Sequence, residues 1–388
     1  MRLSKPLSCD GEAVKEVEDE NALKHMFDKA HLERTADALV AAYPAFDRKR
    51  YVASFASLAS LPMKARVRYL RDELRVLLPS NYARALSILL KAVNGSKLQS
   101  FDLWPVTEFI QTYGLEDLEI SLEALKEITT HFTSEWAIRP FIKKYPKDTL
   151  KFLLKCARES NTDVRRWASE GTRPRLPWGE RLNDFVKDPS PTLPILEELK
   201  FDDELFVRKS VANHLNDIAK DHPVLAVRLL KKWMSEAGPK DQKKVEWTIR
   251  RALRTLVKEG YPEALSLLGV SSEAAVEIRK LHLGKEDLRM GEKLAFSFLA
   301  RSLSDQVQKL IIDYRIHFVR ANGKSSVKVF KFKNLVLGPK AEVEVGKTHH
   351  IREITTREYY NGVHTLDIQI NGVVRKSAKF TLSGARSA

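Results

Sequence analysis

The spacing of apolar residues changes once along this chain, and that change constrains the fold more than any other feature of the sequence. From about residue 21 to 270 apolar residues recur at helical intervals. In FDLWPVTEFIQTYG (101–114), Leu103, Val106, Phe109 and Ile110 share one face, and the stretch ends on a glycine suited to a helix C-terminus. After about residue 275 the period becomes two. The segments EKLAFSFLAR, KLIIDYRIHFVR, SVKVFKFKNLVL, AEVEVGKTHH, VHTLDIQING and VVRKSAKFTL alternate apolar and polar positions, with turn signals at Ala321-Asn322-Gly323 and Asn371-Gly372. About seven strands in roughly 110 residues predict a β-sandwich of immunoglobulin type, without its cysteine pair. The expected protein is mainly α, with an N-terminal tail over 1–20, a helical domain over 21–272 and a small β-sandwich over 273–388.

An internal similarity refines the helical part. The pairs Ile138-Arg139, Val164-Arg165, Val207-Arg208 and Ile249-Arg250 are each read early in a helix, and the last three lie 43 and 42 residues apart. That is the length of a two-helix HEAT unit. Tyr145-Pro146, His222-Pro223 and Tyr261-Pro262 are read as openings of the next helix, where proline suits the first turn. A stack of such units buries a continuous core and leaves a concave face for a long ligand. The alternative is a non-repetitive α-helical domain.

Charge points to the partner. Lys and Arg number 66 against 51 Asp and Glu, a net charge of +15, which favours nucleic acid first and an acidic membrane surface second. Residues 281–388 alone hold 19 Lys and Arg against 10 Asp and Glu, so the sandwich carries +9 of the total and suggests a second clamp on the same polyanion. Cys9 and Cys156 lie far apart without ligand-spaced neighbours, which supports neither a disulfide framework nor a zinc site and fits a reducing cytoplasm. No signal-peptide core and no run of about 18 apolar residues is present, so a soluble, non-exported protein is expected. Phosphate-loop, dinucleotide and HExxH motifs are missing too. His349-His350 is read as a surface pair on opposite faces of a strand, not as metal ligands.

Three neighbouring segments, TSEWAIRPF (133–141), NTDVRRWASEG (161–171) and TRPRLPWGE (172–180), repeat a carboxylate, an arginine and a tryptophan within a few positions. Glu135, Trp136 and Arg139 are expected in the first turn of a helix capped by Thr133 or Ser134. Asp163, Arg166, Trp167 and Glu170 share the next such helix, with Arg166 at i,i+3 from Asp163 and Glu170 at i,i+4 from Arg166. That helix runs into Gly171, and Pro174 and Pro177 are expected to hold the chain extended, leaving Arg173, Arg175 and Trp178 outside regular helix. Extended arginines beside a tryptophan suit phosphate contact and stacking on a base or sugar. The alternative is a set of solvated ion pairs with tryptophans packed between repeats.

SEWAIRPF, DVRRWASEGTRPRLPWG and LPILEELKFDDELFVRKSVANHLNDIAKDHP closely resemble the AlkC branch of the AlkC/AlkD HEAT-repeat DNA glycosylases. The basic sandwich resembles the immunoglobulin-like domain of some AlkC members. The resemblance implies a monofunctional hydrolase that removes cationic N3-alkylated bases, 3-methyladenine chiefly and 3-methylcytosine as well, from double-stranded DNA. It implies a bent duplex with the lesion accessible in place, and neither cofactor nor metal. A cationic base already leaves well, so the enzyme supplies carboxylates that stabilise an oxocarbenium-like sugar and activate water. Glu135 and Glu170 are the first candidates, with Asp163 as a third that alternatively orients Arg166. Trp178 is expected to contact the lesion, and Trp136 and Trp167 to serve either the lesion or the core. Arg139, Arg166, Arg173 and Arg175 are expected on phosphates, with Lys324, Lys328, Lys331, Lys333, Arg375 and Lys376 of the sandwich near DNA. No lysine lies between Lys155 and Lys187, which favours hydrolysis over a lyase reaction through an amine. The expected protein is a monomer of the bacterial cytoplasm, associated with the nucleoid and not with membrane. The competing expectation is a non-catalytic HEAT scaffold that binds nucleic acid or protein.

Overall fold

The computed structural model describes residues 23–98, 100–354 and 357–387, so the expected tail over 1–20, with Cys9, lies outside the described residues. The chain divides into two compact units, Met1–Phe152 and Leu153–Ala388. The first holds α1 (Lys29–Ala42), α2 (Arg48–Ala53), α3 (Phe55–Leu58), α4 (Met63–Leu77), α5 (Tyr82–Asn94), α6 (Trp104–Tyr113), α7 (Leu118–Ile128) and α8 (Arg139–Lys144). A ninth helix, α9 (Pro146–Cys156), begins in the first unit and ends in the second. Asp28, Asp47 and Asn81 start α1, α2 and α5 by accepting a hydrogen bond from the backbone N–H three residues on. Gly95 and Gly114 follow the ends of α5 and α6. Leu103, Val106, Phe109 and Ile110 are all buried, so the apolar face seen in the sequence is the packed one. It meets α4, α5 and α7 in helix-on-helix layers.

The second unit continues with α10 (Thr162–Gly171), α11 (Asn183–Lys187), α12 (Leu193–Glu198), α13 (Leu205–Ala219), α14 (Pro223–Glu236), α15 (Gln242–Ala252), α16 (Arg254–Lys258) and α17 (Pro262–Leu267). Pro146, Pro223 and Pro262 open α9, α14 and α17 as the sequence predicts. The helices form a HEAT-like repeat solenoid in which α10 packs on α13 and α13 on α15. Arg165 and Arg208 show the repeat at atomic detail. Arg165 donates to the carbonyls of Glu159 and Ser160 at 3.0 and 2.6 Å, and Arg208 to those of Asp202 and Asp203 at 2.7 Å each. Each guanidinium therefore closes the loop that precedes its own helix. The fourth pair departs from expectation: α15 starts at Gln242, which puts Ile249 and Arg250 in its later turns and not early in the helix.

The strands are β1 (Val276–Leu283), β2 (Asp287–Arg289), β3 (Lys293–Ser302), β4 (Gln308–Val319), β5 (Ser325–Leu337), β6 (Glu342–His350), β7 (Gly362–Ile370) and β8 (Val373–Ser383). They form two sheets, ordered β1-β3-β6 and β2-β8-β7-β4-β5, with every pairing antiparallel except β2 with β8. Phe296, Phe298, Ile312, Ile316, Leu366, Ile368 and Phe380 fill the space between them. Both Asn371 (φ 49°) and Gly372 (φ 83°) are left-handed, as a two-residue hairpin of type I′ requires.

Gly372 has a second duty. A Cβ there would lie 2.0 Å from the Gly260 Cα, so two backbones touch where the helical repeats join the sandwich. Three side chains of the sandwich reach main-chain carbonyls across this joint: Gln369 to Lys258 at 2.6 Å, Asn371 to Ser271 at 2.7 Å and Arg375 to Ala274 at 3.0 Å.

Candidate active site

The non-helical segment after α10 is built by its cap, its prolines and α13. Asn161 starts α10 by accepting from the N–H groups of Asp163 and Val164 at 2.9 and 3.1 Å. At the other end the Thr172 hydroxyl donates to the Ala168 carbonyl at 2.8 Å. The prolines were expected to hold the following residues extended, but the chain folds back. The Gly179 N–H bonds the Leu176 carbonyl at 3.2 Å, and the Leu182 N–H bonds that of Pro174 at 3.2 Å. Leu176 to Gly179 is thus a β-turn with Pro177 at its second position and Trp178, φ 62°, at its third. A left-handed third residue is the mark of type II, where glycine is the usual occupant. Trp178 stands 51% exposed in that conformation.

Glu170, at the end of α10, is 6% exposed and held by two arginines. Arg173 Nη1 lies 2.6 Å and Arg166 Nη2 3.8 Å from its Oε1. Arg173 also donates from Nε to Asp217 at 2.9 Å, and Lys220 approaches the other Asp217 oxygen at 3.3 Å. Burial opposes the charge on Arg173, but Glu170 and Asp217 outweigh it and raise its pKa. Arg175 grips Asp221 through Nε at 3.1 Å and Nη2 at 2.6 Å. The C-terminal end of α13 and the residues after it therefore pin the whole segment.

Sequence reasoning missed Asp217 and Asp221, although a signal was there. They lie 44 and 46 residues beyond Arg173 and Arg175, close to one repeat length, on the next layer of the stack.

These contacts correct several expected roles. Arg173 is 6% exposed and shared between two carboxylates, so it positions Glu170 and does not meet a phosphate. Trp167 is fully buried and presents no face to a lesion. Among the described residues Asp163 has no ion-pair partner, so it does not orient Arg166; the Arg166 guanidinium instead lies over Phe206, 5.1 Å from the ring centre. Asp163 and Glu170 sit at opposite ends of α10, about 10 Å apart by helical rise, which removes Asp163 from Glu170's chemistry.

Glu135, Trp136 and Arg139 belong to the first unit. The expected cap is not formed: residues 135–138 make a turn, α8 begins only at Arg139, and its N-cap is Ile138. Thr133 instead donates to the Glu135 carboxylate at 2.8 Å and accepts from the Glu135 N–H at 3.3 Å, while the Ser134 hydroxyl donates to the Leu125 carbonyl at 2.9 Å. Glu135 is 6% exposed. Half-buried Trp136 stacks on Trp104 at 4.8 Å between ring centres. Arg139 is fully buried and has no surface from which to reach a phosphate, contrary to expectation.

On the sandwich, Lys324 in the β4–β5 turn and Lys376 on β8 are exposed. Half-buried Arg375 has its guanidinium on the Ala274 carbonyl at the joint, which turns it from the expected DNA contact into a structural tie. His349 and His350 are consecutive on β6, and burial lowers the His349 pKa to about 4, with its Nδ1 2.8 Å from the Tyr314 hydroxyl.

Residues 277–384 match the family described as "Uncharacterised protein YhaZ, C-terminal Ig-like domain". Over 360 residues, covering 92% of this chain and 98% of the relative, the sequence is 36% identical to the uncharacterized protein YhaZ of Bacillus subtilis. The solved structure of the Pseudomonas fluorescens alkylpurine DNA glycosylase AlkC, bound to DNA containing an abasic site analog, is similar with a TM-score of 0.87 and 37% identity. That likeness covers 93% of this chain and 99% of the other. A likeness that runs through both the repeats and the sandwich, at this identity, makes the chain a member of the AlkC branch of the AlkC/AlkD family.

Proposed function

We propose that the protein is a DNA glycosylase that hydrolyses the N-glycosidic bond of cationic N3-alkylated bases, 3-methyladenine first and 3-methylcytosine second, in double-stranded DNA. The observation that carries this reading is Trp178, an exposed aromatic in a left-handed conformation on the segment that begins beside Glu170. Strain of that kind persists at functional positions because the surrounding structure imposes it. The indole face attracts a cation, which favours the methylated base over its neutral parent.

The chemistry follows from the charge of the base. As the bond from C1′ to the base nitrogen breaks, its electron pair leaves with the base and neutralises it, so no acid is needed. Positive charge then develops on the sugar. A carboxylate stabilises that charge and accepts the proton of the water that attacks C1′. Glu170, fixed in place by Arg173 and Asp217, is assigned this work, with Glu135 as the other catalytic carboxylate. By analogy with a preorganised oxyanion-hole donor, one such group is worth about 2.7–4 kcal/mol. Arg166, Arg175, Lys324 and Lys376 are assigned to phosphates, and the sandwich to clamping the duplex. The reaction requires no cofactor, and the protein acts as a monomer in the bacterial cytoplasm.

The test is single-turnover release of free base from methylated duplex DNA, with the bases separated chromatographically. Wild type is expected to release 3-methyladenine, and Glu170→Gln and Glu135→Gln to lose about 10²–10³ in rate while binding duplex as well or better. Salt-sensitive duplex binding without release by the wild type would replace the glycosylase with a scaffold.

A further inference from the structure

Where the repeats meet the outer face of the five-stranded sheet, they enclose a cleft of about 370 Å³. Its helical wall presents Arg250 from α15 and, four residues apart on one face of α16, Arg254 and Lys258. The sheet wall presents Lys309 and Asp313 from β4 and Lys331 from β5. Five cations thus converge on a space with one carboxylate. Asp313 pairs in register with Lys331, and burial raises its pKa against the pull of Lys258 and Lys331; a single carboxylate leaves the five cations in excess.

Of the cations, Arg250 has an ion pair, with Glu246 at 3.7 Å. Among the described residues Arg254, Lys258, Lys309 and Lys331 have none. By contrast, Arg165 and Arg173 in the same unit are held by carboxylates, Arg165 by Asp202 and Arg173 by Glu170 and Asp217. Converging like charges without a partner raise the energy of the empty cleft, and a bound anion lowers it. Burial and the nearby Arg251 and Arg173 lower the pKa of Arg254, while Asp217 opposes them. The helical wall of the cleft is therefore within electrostatic reach of the network that holds Glu170.

We propose that this cleft is a phosphodiester site that seats one backbone phosphate of duplex DNA at the joint between repeats and sandwich. It rests on the glycosylase reading for its choice of DNA. The sandwich thereby gains a specific role, because Lys309 and Lys331 complete a phosphate seat whose other wall belongs to the repeats. Of its cations, Lys331 is one the sequence places near DNA, whereas Arg254 and Lys258 of α16 and Lys309 of β4 are phosphate ligands that the sequence pattern did not single out.

The test uses the full chain with Lys309→Glu/Lys331→Glu, and as a charge-matched control Lys293→Glu/Lys347→Glu on the other sheet. Affinity for undamaged duplex and for duplex with an abasic-site analog is measured between 50 and 200 mM salt, conditions over which phosphate contacts dominate. We expect the cleft variant to bind at least tenfold more weakly and to lose about 1–2 from its log–log salt slope, and the control to change less than threefold. Lys309→Gln/Lys331→Gln should shift in the same direction, and urea unfolding checks that each variant is folded. Equal losses in the cleft and control variants would reduce the cleft to a share of the general field and overturn the proposal. So would inorganic phosphate raising the wild-type Tm but not the variant's while duplex affinity stays equal, because the seat would then take a free anion. If wild type releases no base but only the cleft variant loses duplex affinity, the glycosylase reading fails and the cleft stands.

Discussion

At position 178 a left-handed backbone is given to a large aromatic residue, a choice that costs about 1–2 kcal/mol and that glycine would avoid. With its indole half exposed, the ring recovers only part of that cost by packing. Trp178→Gly is therefore expected to change stability in urea by no more than ~1 kcal/mol, relief of strain offsetting lost ring contact, while base release from methylated duplex falls at least tenfold. Intact release with a large loss of stability would make Trp178 a packing residue. The sequence shows this residue well, because Pro177 before it and Gly179 after it exclude regular helix. It shows Trp167 and Arg139 badly. Helical spacing says which residues share a face, but whether that face looks into the stack depends on the neighbouring layer, and both side chains are fully buried there. Asp217 shows only through the repeat length, since its partner Arg173 lies 44 residues away on the neighbouring layer.

Among the elements, the repeat was legible because it recurs in sequence, and Arg165 and Arg208 confirm it by closing equivalent loops. The Asn371-Gly372 hairpin was legible from its turn chemistry. β1 and β2 were not. β2 has three residues, too few to show alternation, and β1 changes register between Arg279 and His282, which breaks the period of two. Nor could turn chemistry reveal that Gly372 also touches Gly260. This gives a prediction for the joint. Gly372→Ala meets both a positive φ and a backbone atom at 2.0 Å, and should destabilise the protein by at least ~2 kcal/mol. Gly323→Ala, with φ 70° and nothing within 4 Å, should cost only ~1 kcal/mol. Urea midpoints measure both; equal losses would mean that the joint yields freely and that the Gly260 contact holds nothing.

For the molecule as a whole, the change of period set the fold class, and the net charge of +15 named the kind of partner, but neither could say which cations are available. Many are held by carboxylates: Arg165 by Asp202, Arg173 by Glu170 and Asp217, Lys200 by Glu197 and Glu236. Salt separates the two populations. Exposed cations that bind phosphates release counterions on association, whereas the buried Glu170–Arg173–Asp217 network lies beyond effective screening. Raising salt from 50 to 200 mM should then weaken duplex binding by about 10³–10⁵ if 6–10 phosphates are engaged. The melting temperature should hold or rise slightly over the same range, because screening also relieves the repulsion of a chain with this net charge. Anisotropy titrations and thermal melts in the same buffers read both quantities. An affinity that falls less than tenfold would leave the excess charge without a role in DNA binding, and a melting temperature that falls in parallel would show that the carboxylate clamps are exposed ion pairs rather than the fixed frame of the site.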